Sequence, residues 1–254
     1  MKRIAFIIMV ACMPLMAMSQ GVITRPGKKP TKTNTQKPPA RQLPQQQGSN
    51  NQRPSNQSAN SATDTGNRLS ARPTTGTING HDYVDLGLSV KWATCNVGAT
   101  SPSDYGSYFA WGETSTKSEY TEANSITYKK DMGDIAGNPQ YDAARTNWGS
   151  TWRLPTKAEC EELKNKCTWT WTTQGGHNGY RVTSKTNGNS IFVPAAGCRY
   201  GASLCYAGDY VYFWSSSPYG GDAELAYRLY FDSSGHCVDW GDRYYGRSVR
   251  PVSE

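Results

Sequence analysis

Histidine is nearly missing from this chain: there are three in 254 residues, His81, His177 and His236. Each stands alone in a polar or glycine-rich stretch, so neither a paired-His metal site nor a His-based nucleophilic site is written into local spacing. C-x-x-C is absent as well, which removes the commonest zinc signature. No metal and no cofactor is implied. Long apolar runs are confined to the first residues; no later stretch approaches the ~18 to 20 apolar residues of a spanning helix. Between Gly21 and Asn79 there is no aromatic residue and almost no aliphatic one. Such a segment cannot bury enough apolar surface to offset the entropy of ordering.

These absences divide the chain into three parts. Residues 1–19 have a basic start at Lys2 and Arg3, an apolar run from Ile4 to Ala11 and a small-residue exit at Ala17 and Ser19. This is the pattern of an export signal, with cleavage expected after Ser19. Cys12 after Met9-Val10-Ala11 is a weak version of a lipoprotein signal, so lipidation there is the alternative. Residues 20–79 read as a disordered, semi-extended linker rich in Pro, Gln, Asn and Thr. Residues 80–254 read as one folded domain.

Charge follows the same division. Residues 21–79 carry nine Lys or Arg against the single acid Asp64, whereas residues 80–254 carry sixteen against nineteen. The pI of about 9.0 therefore describes the linker, and the folded part is slightly acidic. A basic tether can lie on an acidic envelope, but on an exported chain it reads first as a soluble spacer, and nucleic acid is not expected as a partner.

The folded part holds all eight Trp and all sixteen Tyr, while Leu and Ile are scarce. Short aromatic segments punctuated by glycine predict strands at 83–86, 90–94, 108–111, 168–172, 180–184, 191–195, 211–215, 226–231 and 248–252. Two helices are expected. One is short, spanning 142–148. The other opens inside "TWRLPTKAEC" (151–160), where Thr156 and Glu159 stand in capping-box relation, so that the helix begins at Lys157. Cys160, Leu163 and Cys167 then form its buried stripe, and Arg153 is expected to pair with an acid that the sequence does not name.

Six cysteines remain after export, in a compartment that permits disulfides. Cys160 and Cys167 lie about 10 Å apart along a helix, too far to bridge. The favoured pairs are Cys95 with Cys167, and Cys198 with Cys205 across a short loop.

The segments "YVDLGLSVKWATCNVGA", "YFAWGET", "DAARTNWGSTWRLPTKAE", "GYRVTSKTNGNSIFVPAAGCRYG", "WSSS", "AYRLYF" and "SVRPV" resemble, in order, the Fibrobacter succinogenes major paralogous domain, a family of exported bacterial domains. "NWGSTWRLPTKAE" also resembles the helix start of the formylglycine-generating, sulfatase-modifying enzymes. The resemblance implies an α+β, C-type-lectin-like domain with small antiparallel sheets, two short helices and long loops. It does not carry over an activity. The reactive cysteine pair of those enzymes has no matching motif around Cys198 and Cys205. The Glu-Pro-Asn and Gln-Pro-Asp tripeptides of calcium-dependent lectins are absent. Fold alone therefore assigns no function.

What the C-terminal third offers is aromatic surface. Residues 199–250 contain nine Tyr, two Trp and two Phe among Gly, Ser and Asp, a composition suited to adaptable recognition of protein or sugar. The candidate ligand-binding residues are Tyr200, Tyr206, Tyr210, Tyr219, Asp222, Trp240, Tyr244 and Tyr245. The expectation is an exported, surface-tethered, non-catalytic recognition domain for a glycan or protein ligand at the cell surface. The alternatives are a structural module of an envelope or fimbrial assembly and a degenerate relative of the formylglycine-generating enzymes. The enrichment of 199–247 in residues interchanged by adenine-directed diversification adds the idea that a retroelement rewrites this segment.

Overall fold

The computed structural model describes residues 75–254. The export signal, Cys12 and all but the last residues of the linker lie outside the described residues. Strand β1 (Thr75–Ile78) pairs with β2 (His81–Val84) through Asn79-Gly80, both at positive φ (48° and 80°), the conformation that lets an Asn-Gly dipeptide close a two-residue hairpin. Strand β1 thus lies within the segment read from the sequence as linker.

After β3 (Lys91–Ala93) come helices α1 (Ala143–Trp148) and α2 (Lys157–Lys166), and then nine further strands. These are β4 (Cys167–Gln174), β5 (His177–Ser184), β6 (Ser190–Pro194), β7 (Cys198–Tyr200), β8 (Ser203–Cys205), β9 (Val211–Pro218), β10 (Leu225–Asp232), β11 (Gly235–Asp242) and β12 (Val252–Ser253). They make four small sheets, ordered β1-β2-β3-β12, β4-β5-β6, β7-β8 and β11-β10-β9. Every pairing between named strands is antiparallel. The architecture is α+β, with β12 returning the C-terminus to the sheet that the first strands begin.

Both helices are set by their caps. Asp142 accepts hydrogen bonds from the Ala144 and Arg145 amides and starts α1. At α2, the Thr156 hydroxyl accepts from the Glu159 amide while Glu159 accepts from the Thr156 amide, the expected capping box. Cys160 and Leu163 face inward; Cys167 is equally buried, but as the first residue of β4.

Two large apolar cores result, beside a smaller cluster of Tyr108, Ala110, Tyr120 and Ala196. One gathers α2, the Val211/Phe213 face of β9, Leu229 and Phe231 of β10, and Trp92. The other is built on Trp111, Trp148, Trp152 and Trp214, with Val249 and Leu154. A buried Trp removes roughly 150–250 Å² from water, about 4–6 kcal/mol as an upper bound. The rings reach this burial because most have a hydrogen-bond acceptor: the Trp111 indole donates to the Ser215 carbonyl, Trp152 to Ile78 and Trp214 to Phe109, each at 2.9 Å.

The strands expected at 108–111 and 248–252 are mostly irregular: the first is reduced to the bridge Phe109–Arg247, and the second to a bridge at Ser248 and the start of β12. Their amides bond to partners scattered through loops rather than to one neighbouring strand. The favoured disulfides are absent, and Cys95, Cys160, Cys167, Cys198 and Cys205 carry thiols. Cys95 packs against the tryptophan core and Cys167 lies in the other, so that pair is held apart. Cys198 and Cys205 do oppose each other across the β7-β8 hairpin, but as a buried and a half-buried thiol.

Candidate functional site

Sheet β9-β10-β11 has two faces. Val211, Phe213, Leu229 and Phe231 alternate into the core, and the period of two turns Tyr212, Arg228 and Tyr230 the other way. Tyr212 and Tyr230 are cross-strand partners with rings 5.3 Å apart. Arg228 and Asp239 are partners across β10-β11, where Arg228 donates Nε and Nη2 to the two carboxylate oxygens at 2.7 and 3.0 Å. Burial opposes the Arg228 charge, but the Asp239 contact outweighs it and holds its pKa above the ordinary value.

The segment after β11 covers this face and brings in Arg247. Its backbone is fixed by reciprocal hydrogen bonds with Phe109, at 3.0 Å each way. Its guanidinium lies 4.1 Å from the Trp214 ring, 5.2 Å from Tyr245 and 5.5 Å from Tyr212. The residue is 2% exposed, yet Nε and Nη1 have no hydrogen-bond acceptor.

Two other fully buried arginines show what satisfaction looks like in this fold. Arg250 donates to the Asn96 side chain and to the carbonyls of Ala93, Thr94 and Phe192. Arg243 donates to the carbonyls of Leu225, Thr127 and Lys130. Arg247 has aromatic rings in place of acceptors. Burial, with the repulsion of Arg228 next, pushes its pKa down to about 9, so it remains a cation at neutral pH.

Above Arg247 opens a cleft of about 340 Å³. Arg228 and Arg247 line it, with Tyr212, Asp242, Tyr245 and Gly241. Gly241 lies against both arginines: a Cβ there would sit 2.5 Å from Nη2 of Arg247 and 3.0 Å from Nη1 of Arg228, so a side chain would displace at least one guanidinium group. Tyr206 and Trp240 also line the cleft and are 54% and 42% exposed. Tyr200, 53% exposed, stacks on Tyr245 with ring centroids 5.2 Å apart. Tyr206 adopts φ +60°, a left-handed backbone that a ring-bearing residue takes only where its surroundings impose it.

The sequence candidates therefore separate. Tyr206, Trp240 and Tyr245 meet at one cleft, with Tyr200 beside it. Tyr210 stacks on Tyr212 and Tyr230, and Tyr219 on Trp240, as half-buried supports. Tyr244 is buried, its ring against Tyr128 and Tyr245, because its loop turns inward; it belongs to the core rather than to a ligand surface. Asp222 is exposed in the turn before β10, where its carboxylate caps the Glu224 amide at 2.9 Å, and it is not among the cleft residues.

Arg228, Asp239, Gly241, Asp242 and Arg247 were not among the sequence candidates. Asp239 and Asp242 read in the sequence as solvated loop carboxylates, and the local signal for Arg247 was the two arginines of "GRSVRPV", where nothing distinguishes the satisfied Arg250 from the unsatisfied Arg247. The histidines do not converge: His81 stacks on Trp148, His177 packs edge-on to Tyr105 and His236 stacks on Trp169. Among the described residues no cluster of three His, Cys, Asp or Glu is placed to hold a metal ion, and no helix is long and apolar enough to cross a membrane. No family model matches the chain, and neither does any curated protein or solved structure.

Proposed function

We propose that this chain is an exported, surface-tethered recognition domain of C-type-lectin-like fold, related to the Fibrobacter succinogenes major paralogous domains, that binds a glycan or protein ligand without catalysis. The observation that carries this reading is the aromatic rim: Tyr206, Trp240 and Tyr245 line one cleft, with Tyr200 stacked on Tyr245 beside it, on a sheet whose opposite face is core. Exposed rings on a rigid scaffold supply contact area at low entropic cost. The stacked Tyr210 and Tyr219 beneath them fix their positions.

Burial holds the Cys198 thiol above its ordinary pKa, against the pull of Arg247 and Arg228. A thiol in that state is a poor nucleophile at neutral pH, which weighs against the formylglycine-generating chemistry.

The experiment is binding of the full chain to arrays of glycans and of surface proteins, with a Tyr206→Ala/Tyr245→Ala double variant alongside. Both side chains are at least half-exposed or at the cleft edge, so the variant is expected to fold. A ligand bound by the parent chain and lost by the variant supports recognition through this face. A ligand bound equally by both moves recognition elsewhere. No ligand for either folded protein favours the structural-module reading.

A further inference from the structure

We infer that the ligand of this cleft is a carboxylated sugar, with its carboxylate seated between the guanidinium groups of Arg247 and Arg228. This rests on the recognition reading and names the ligand class that the cleft selects.

Arg228 commits Nε and Nη2 to Asp239, so that pair is neutral and leaves Nη1 over. Arg247 adds a second cation, 2% exposed, with Nε and Nη1 unpartnered. A buried cation without acceptors is costly, and the other two buried arginines of this fold avoid that cost through backbone and amide acceptors. The ends of Arg247 and Arg228 that meet at Gly241 lie on the cleft wall. Asp239 and Asp242 together match the two arginines in formal charge, so the unpartnered Arg247 tolerates a monoanion more readily than a phosphate dianion. Among monoanions, a planar carboxylate matches the guanidinium fork in shape.

The remainder of the cleft describes what carries the carboxylate. About 340 Å³ is at the lower end for small-molecule sites, the scale of one or two saccharide rings. Trp240 and Tyr206, the exposed rings of the lining, supply flat apolar faces for ring C–H groups, and Asp242 supplies acceptors for hydroxyls. A peptide C-terminus would use the same arginines, and N-acetylglycine separates that case from a sugar.

The test titrates the full chain with methyl β-glucuronide and a methyl sialoside, with methyl β-glucoside as the neutral isostere, a glucoside 6-sulfate, and N-acetylglycine as the peptide carboxylate. Affinity is read by ligand-observed NMR, and the side-chain Nε–H resonances of arginine are followed in parallel. At least one carboxylated sugar is expected to bind tenfold or more tightly than the neutral glucoside, to shift an arginine Nε–H signal that Arg247→Met deletes, and to weaken with salt. Arg247→Met and Gly241→Ala are each expected to lose tenfold or more in affinity. Should one of them fail to fold, the other decides.

Failure of both the glucuronide and the sialoside to bind more tightly than the glucoside, tighter binding of the sulfate than of either, or binding of N-acetylglycine in place of the sugars would each overturn the inference. So would silence from every carboxylated probe. None of these results touches the array experiment, in which a ligand lost on Tyr206→Ala/Tyr245→Ala still supports recognition.

Discussion

Arg153 places both terminal nitrogens on the carboxylate of Glu159, Nη1 at 2.9 Å and Nη2 at 2.7 Å. The same carboxylate accepts the Thr156 amide at 2.8 Å, so a single acid caps α2 and neutralises the arginine three residues before the cap. Neither side chain is more than 14% exposed. Burial alone would raise the Glu159 pKa, but the Arg153 and Thr156 contacts prevail and lower it. A carboxylate with a depressed folded pKa adds stability above its unfolded value of ~4.3, and that contribution is lost as pH falls through the folded value. Arg153→Ala is expected to cost about 2–3 kcal/mol at neutral pH and to move the acid-unfolding midpoint upward. Circular dichroism against pH checks this, and an unchanged acid midpoint would remove Glu159 as the acid-sensitive group.

Arg247 and Arg250 stand three residues apart, both fully buried, yet they predict opposite responses to the same substitution. Arg250→Met removes four donated hydrogen bonds and leaves the Asn96 oxygen and three carbonyls short of a donor. It is expected to destabilise by about 3–5 kcal/mol. Arg247→Met strands no acceptor and replaces an unpaired cation with an apolar chain of similar reach; Tm is expected to hold or rise. Thermal unfolding of both variants is the check. A loss at Arg247→Met comparable to that at Arg250→Met would mean that Arg247 serves the fold and not a ligand.

That contrast also marks where sequence stopped being informative. The Thr156/Glu159 box and the Asp142 cap are local: the donor and acceptor are within three residues, so both helices were legible. Strand β11 was not, because "GHCVDWGD" has a single aliphatic residue, although Asp232 accepting from the Ser234 and Gly235 amides at the turn before it was a readable signal. The Tyr-rich segment did contain the rim, but the choice of Tyr245 over Tyr244 depends on which way one loop turns. Arg247 was beyond reach because its satisfaction depends on acceptors supplied by residues distant in sequence, and a missing acceptor leaves no local trace.

The thiols should differ by reactivity rather than by bridging. Cys160 is 0% exposed, and burial first, then Glu159 and Glu161, holds its thiol well above the ordinary range. Cys205 is half-buried at the end of the β7-β8 hairpin. A maleimide at pH 7 is expected to label Cys205 in the native chain and Cys160 only after denaturant is added. Peptide mass spectrometry reads both sites. Native labelling of Cys160 at the rate of Cys205, or a Cys95–Cys167 bridge after mild oxidation, would contradict the packing described.

Tyr206 unites the strain and the surface of the cleft rim. Its φ of +60° is accessible to glycine without steric penalty but not to alanine. Its carbonyl accepts from the Asp209 and Tyr210 amides at 3.2 and 3.1 Å, contacts that hold the turn whatever the side chain. Tyr206→Gly and Tyr206→Ala remove the same ring, so ligand binding should fall equally in both. Their stabilities should not agree: Tyr206→Ala keeps the left-handed penalty, and it is expected to be about 1 kcal/mol less stable than Tyr206→Gly. Urea unfolding of the pair measures the difference directly. Equal stability would show that residue 206 relaxes out of the left-handed region once the ring is gone, and that the ring itself maintains the turn.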